Sequence, residues 1–265
     1  MLIFVRMEAN KEERIQAKEK QIDRILRGNR VDTITILIKI ALSAAAGIIA
    51  GVSAVYTFNR IPAKWLCDYN QKPDREMWGE RIKEKPWTVV FILVFTASSL
   101  KLLEQGFLYA VPGIVTLWLL LQIGIADRKY MIIPDQFVIA LAVTAFGFIP
   151  FHSSYQAQMI GALVGGGSIL LMGIIGKLLF RKEAMGFGDV KLFAAVGLLF
   201  GLKGVVIILI ITIFSSAFVF GIGLLTGKLK TGEEQPLGPF VAASASLYIL
   251  FQPELTMLAD LYINL

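Results

Sequence analysis

Between residues 34 and 251 the chain offers one apolar run after another, with charge confined to short stretches between them. An apolar layer of about 30 Å takes roughly 20 helical residues to cross, fewer where neighbouring protein shields the ends. On that measure eight segments qualify: 34–58, 87–104, 107–126, 136–151, 157–179, 189–201, 204–226 and 237–251. Segments 189–201 and 204–226 can also be read as one unit kinked around "GLKG". Open backbone cannot face lipid, and the runs look helical rather than barrel-like. The expected class is therefore an all-α, polytopic integral membrane bundle of about eight transmembrane segments. Composition agrees: 17% of residues are charged and mean hydropathy is +0.68, where a soluble domain is nearer one quarter charged. "ALSAAAGIIAG" and "GALVGGGS" supply the small residues that close helix contacts in lipid need.

The charges between the runs give an orientation. Loops 60–86, 127–135, 180–188 and 227–236 carry thirteen lysines and arginines, whereas the other side has Lys101 and Lys203. The basic side is expected to face the cytoplasm. This count puts the charged N-terminal tail outside, although it has eight basic residues of its own. Three regions follow: a tail or surface helix over 1–33, two spans with a basic loop over 34–106, and the remaining membrane domain over 107–265. "MLIFV" is too short for the apolar core of a signal peptide. The net charge of +6 reflects these loops and is no sign of nucleic acid.

Several chemistries are excluded. One cysteine, Cys67, allows neither an internal disulfide nor a paired Cys-x-x-Cys zinc site, and it reads as a packing or loop thiol. The single histidine, His152, ends an apolar run and reads as a solvated loop residue. What remains is carboxylates, lysines and hydroxyls.

Two carboxylates stand out. Asp127 ends the third run in "LLLQIGIADRKYMIIPDQFVIA", and Asp189 opens a later one in "EAMGFGDVKLFAAVGLLFG". Counting spans puts both on the basic face. Acids at such positions are costly and point to function. Two carboxylates brought close cannot both ionise, which leaves one as general base for water and one as general acid for a scissile amide. Gly186 and Gly188, directly before Asp189, are expected to allow backbone conformations closed to other residues and a close approach of substrate. Asp135, after Pro134, suits a helix N-cap and structural support.

"MGFGDVKL" together with "DRKYMIIPD" resembles the type IV prepilin peptidases, membrane aspartyl proteases with a Gly-x-Gly-Asp motif. The 62-residue separation of the two aspartates fits, as does "PLGPFVAASA" at 236–245. The resemblance implies that Asp127 and Asp189 form a catalytic dyad. It implies cleavage of a prepilin leader after a glycine, at the cytoplasmic face of the cell's inner membrane. Lys191 matches the motif lysine, with electrostatic tuning, anchoring at the headgroups or snorkelling as its possible parts. Substrates would be prepilin or pseudopilin-like proteins with one span and a basic leader. No cofactor or metal is implied for proteolysis.

"GIIAGVSAVYTFNRIPAKWLCDYN" (47–70) resembles a worn version of the family's N-terminal region, in which two Cys-x-x-Cys pairs bind zinc and which accompanies methylation of the new pilin N-terminus. One cysteine cannot replace four, so zinc is not expected. S-adenosylmethionine would enter only if a methyltransferase activity is retained. Two other classes stay open on the residues alone. One is a transporter using Asp127 and Asp189 for ions or protons; the other is a silent scaffold of a pilus or secretion assembly.

Overall fold

The computed structural model describes residues 33–67, 72–152, 154–180, 186–230 and 234–263. Apart from Thr33, the charged tail lies outside them. Among the described residues every regular element is helical. In chain order they are α1 (Thr33–Arg60), α2 (Glu84–Glu104), α3 (Phe107–Tyr130), α4 (Asp135–Phe148), α5 (Tyr155–Phe180), α6 (Phe187–Leu225), α7 (Gly238–Leu250) and α8 (Gln252–Ile263). Two 3-10 turns, Ala63–Leu66 and Arg75–Met77, punctuate the loop between α1 and α2.

The protein is multi-pass and all-helical, but length and apolarity single out fewer spans than the eight expected. Among the described residues five helices qualify, α1, α2, α3, α5 and α6, or six if α7 and α8, bent by 93°, form one crossing. The difference has physical causes. α4 and α7, with 14 and 13 residues, are each roughly 20 Å long. Segments 189–201 and 204–226 fall within one element, α6.

α6 is not straight. Gly201, the first glycine of "GLKG", has φ 69° and ψ −173°, a backbone region almost confined to glycine. Its consequence is visible along α5. In a straight helix Phe193 and Val205 would be roughly 18 Å apart. Yet a side chain on Gly165 would meet both the Phe193 carbonyl and, at 2.8 Å, Val205 Cγ2. One turn earlier, Gly161 lies against Gly197 and Gly201. A step along α5 thus matches a step back along residues 187–200 and a step forward along 202–225. α6 folds back on itself, and its two limbs flank α5.

Contacts sort the loops into two ends of the bundle. At one end, Lys129 reaches Arg81, Asp127 meets Gly238, and Ile133 lies against Gly188. At the other, the Tyr109 hydroxyl donates to Gln252 at 2.6 Å, and Lys101 and Lys203 pair with Glu254 and Asp260 of α8. His152 also sits at this second end, half-buried, and its Nε2–H donates to the Leu199 carbonyl at 2.7 Å. It is a bonded residue and not the solvated one expected. Cys67 packs against the core edge, half-buried.

One buried cluster runs from Ala50 to Ile249 and includes residues on both sides of position 106. Around it large apolar side chains face outward, among them Leu37, Leu93, Leu163, Leu178 and Phe214. In water such a surface would drive aggregation; in lipid it is the ordinary exterior of a bundle.

Gly201→Ala is expected to destabilise the bundle by about 1–3 kcal/mol, because a Cβ is strained at that φ and ψ. A fall in the thermal unfolding midpoint of the detergent-solubilised protein would show it. An unchanged midpoint would mean that the reversal does not depend on this backbone geometry.

Candidate functional site

Asp127 occupies the last turn of α3 and is buried, 6% exposed. Met131, four residues on, stops the helix. Its backbone is left-handed, with φ 56°, and its N–H donates to the Asp127 carbonyl at 2.9 Å. The carboxylate is satisfied from elsewhere. The N–H of Gly238, first residue of α7, donates to Asp127 Oδ2 at 2.7 Å. A helix N-terminus has free amides and a positive dipole end, so it is a suitable place to hold a carboxylate.

Asp189 lies in the first turn of α6, half-buried, its N–H bonded to the Gly186 carbonyl at 3.1 Å. Ile133, in the short loop that follows the Asp127 turn, lies against Gly188, the residue before Asp189. The two acids that the sequence separates by 62 residues therefore come together where α3 ends and α6 and α7 begin. One is fixed by a backbone amide, and the other stands beside an exposed glycine and the exposed Phe187 ring. Such a pair can exchange protons with a group placed between them.

The glycines before Asp189 have ordinary backbones. Gly186 has φ −75° and ψ 146°, and Gly188 is helical. The expectation of conformations closed to other residues is corrected on this point. The close contact at Gly188 is with the chain itself, where an added Cβ would stand 3.1 Å from Ile133 Cβ. The neighbour is the chain's own loop between α3 and α4, so this glycine lets the two aspartate-bearing elements meet.

Asp135 is the first residue of α4, and the cap position belongs to Pro134, so it is not the N-cap. Its Oδ1 instead accepts from Lys191 Nζ on α6, with both side chains about one-third exposed. Lys191 also lies 5.4 Å from the Phe187 ring centroid. This cross-link ties α4 to α6 two residues beyond Asp189. Asp127, Asp189, Gly188, Asp135 and Lys191 thus sit at one end of the bundle, joined through α3, α4, α6 and α7. Among the described residues no three His, Cys, Asp or Glu side chains gather to hold a metal ion.

Gly238 was not singled out from the sequence. The signal was present in "PLGPFVAASA", but a motif does not reveal which distant group its amide meets. The geometry does. A Cβ on Gly238 would stand 2.8 Å from Asp127 Oδ2 and 2.9 Å from its Cβ, closer than side chains tolerate. Gly238→Ala is expected to displace the Asp127 carboxylate and lower the site's activity by about 10²-fold, the scale of an ångström misplacement. Gly186→Ala, with its nearest neighbour at 3.6 Å, is expected to retain far more. Equal rates for the two variants would contradict this. Lys191→Met and Asp135→Asn are expected to cause similar losses that do not add in the double variant, since they break one pair.

Residues 114–225, which contain both aspartates, match the model of the type IV leader peptidase family. The chain is 28% identical over 142 residues to a prepilin leader peptidase/N-methyltransferase of Bacillus subtilis, covering 53% of this chain and 55% of that protein. The proteins of the same name from Aeromonas hydrophila and Pseudomonas aeruginosa are 31% and 30% identical. The first covers 52% of this chain and 49% of the relative; the second covers 57% and 53%. The chain thus spans about half the length of the curated relatives it matches. No solved structure matches it. The resemblance read from the aspartate and glycine motifs is shown by these matches: residues 114–225 are similar to the type IV leader peptidase family.

Proposed function

We propose that the chain is a membrane aspartyl endopeptidase that removes the leader peptide of type IV prepilin-like proteins, cutting after a glycine at the cytoplasmic face of the inner membrane. The observation that carries this reading is that Asp127 and Asp189 lie at one end of an apolar bundle, where Ile133 packs on Gly188 and the Gly238 amide holds Asp127. About eight crossings fit it best, with the limbs of α6 counted separately and α8 lying across the far end. Both aspartates then fall on the basic, cytoplasmic side. A substrate with one apolar helix would lie among the spans, its basic leader outside the bilayer.

The chemistry is that of a carboxylate pair. One carboxylate removes a proton from water as the water oxygen bonds to the scissile carbonyl carbon. The other, protonated, gives its proton to the amide nitrogen as the C–N bond breaks. The products are a leader ending in glycine and a shortened protein with a free amine. Gly186 and Phe187, exposed beside Asp189, would border the substrate strand. No observation favours a transporter or a scaffold. Methylation of the new amine is not part of the proposal.

Co-expression with a prepilin-like substrate tests the reading by gel shift and N-terminal sequencing. The intact chain is expected to release a product beginning directly after a glycine. Asp127→Asn and Asp189→Asn are each expected to lower the rate by about 10²–10⁴-fold, the usual range for acid–base groups. The pH–rate profile should be bell-shaped, falling where the pair binds two protons or none. Cleavage at full rate by either Asn variant would sink the dyad. A chain that leaves such substrates uncut would sink the peptidase reading.

A further inference from the structure

The described residues of the loop between α1 and α2 gather around one arginine. Arg81 is 7% exposed and spends its donors on backbone carbonyls alone in the bonds that the structure resolves for it. Its Nη1 donates to Phe58 at 2.7 Å, its Nη2 to Ile61 and Met77 at 2.6 Å each, and its Nε to Met77 at 2.8 Å. The reason lies in the sequence. Phe58 is in the last turn of α1, and the residue four places on is Pro62, which has no N–H to return. Ile61 is in the same position, because the Trp65 N–H goes to Pro62. The guanidinium thus stands at the negative end of α1 and caps carbonyls that the chain leaves open. Burial pulls Arg81 below its ordinary pKa, and the Tyr130 phenol works against that. Asn59 completes the clasp, accepting from the N–H groups of Arg81 and Ile82 at 2.8 Å each.

The clasp also reaches the candidate site. The Arg81 carbonyl accepts from Lys129 Nζ, and the Tyr130 hydroxyl donates to the Glu76 carbonyl at 3.3 Å. Both residues belong to the turn of α3 that carries Asp127. Trp65 of the same loop stacks edge-on against Phe137 of α4, with centroids 6.1 Å apart. The end of α3 is therefore held by α7 from one side and by this loop from the other.

We propose that Arg81 is a positioning residue, which shapes the described parts of the α1–α2 loop, residues 61–67 and 72–83, into a clamp that sets the Asp127 turn through Lys129. The proposal rests on the peptidase reading for its kinetic test, and the clamp itself has a readout of its own. Cys67, the chain's single thiol, lies in the clamped loop and is half-buried. In detergent-solubilised full chain, Arg81→Met is expected to speed labelling of Cys67 by a polyethylene glycol maleimide by about tenfold, through easier local opening. Lys129→Met, which leaves the clasp intact, should leave labelling unchanged. On a single-span test substrate with a basic leader, both variants are expected to lower kcat by about 10- to 100-fold with KM little altered. The double variant should be no worse than Arg81→Met alone. Arg81→Lys should not rescue, since one amine cannot bridge three carbonyls. Unchanged labelling in Arg81→Met, an unchanged kcat in Lys129→Met, or additive losses would overturn the proposal. A chain that cuts no substrate while Cys67 still responds to Arg81→Met would remove the peptidase reading and leave the clamp standing.

Discussion

A carboxylate at the end of an apolar helix must find a donor, and the way Asp127 finds one organises the rest of this molecule. Its partner is not a side chain but the first amide of α7, 111 residues further along the chain. For that bond to form, α3 and α7 must lie side by side with no side chain between them. Gly238 is the residue that permits this, and the pairing of Gly124 with Ala242 and Pro239 continues the close contact down the two helices. The start of α6 packs on the loop that follows α3, Gly188 against Ile133, and so brings Asp189 to the end of the bundle that holds Asp127.

The bundle achieves this with helices of unequal reach. α4 and α7 are short, and α6 turns back at Gly201, so the ends of α3, α6 and α7 come together at the basic side. The far end is closed differently, by Tyr109 on Gln252, His152 on Leu199 and the ion pairs of α8. Side chains tie both ends, but the basic end also sets two acids among glycines. Exposed glycine beside an acid leaves room for an extended strand to approach.

Much of this was legible in the residues. Helical class and membrane character follow from the apolar runs, since only helices satisfy their own backbone there. Asp127 and Asp189 were visible because an acid at such a boundary is expensive. Asp135 and Lys191 were visible as single residues but not as a pair, because their contact is made across 56 positions. Gly238 and Arg81 were hidden for the same reason: each acts through backbone groups, and sequence does not say which distant carbonyl or carboxylate a backbone meets. The break at "GLKG" was legible as a place where the run could divide, but the reversal itself depends on one residue's φ and ψ at Gly201. The glycines before Asp189 suggested unusual backbone, but the need at Gly188 is for space against Ile133.

The central claim is that Asp127 and Asp189 form one site. A direct measurement is the linking of cysteines placed at both positions, in a chain whose Cys67 is replaced by alanine. With a short bifunctional thiol reagent, the account predicts an internal link between positions 127 and 189, found as a joined peptide after digestion. It also predicts no such link when either cysteine is moved to Lys203 at the far end. Two thiols that react singly and never join would contradict it.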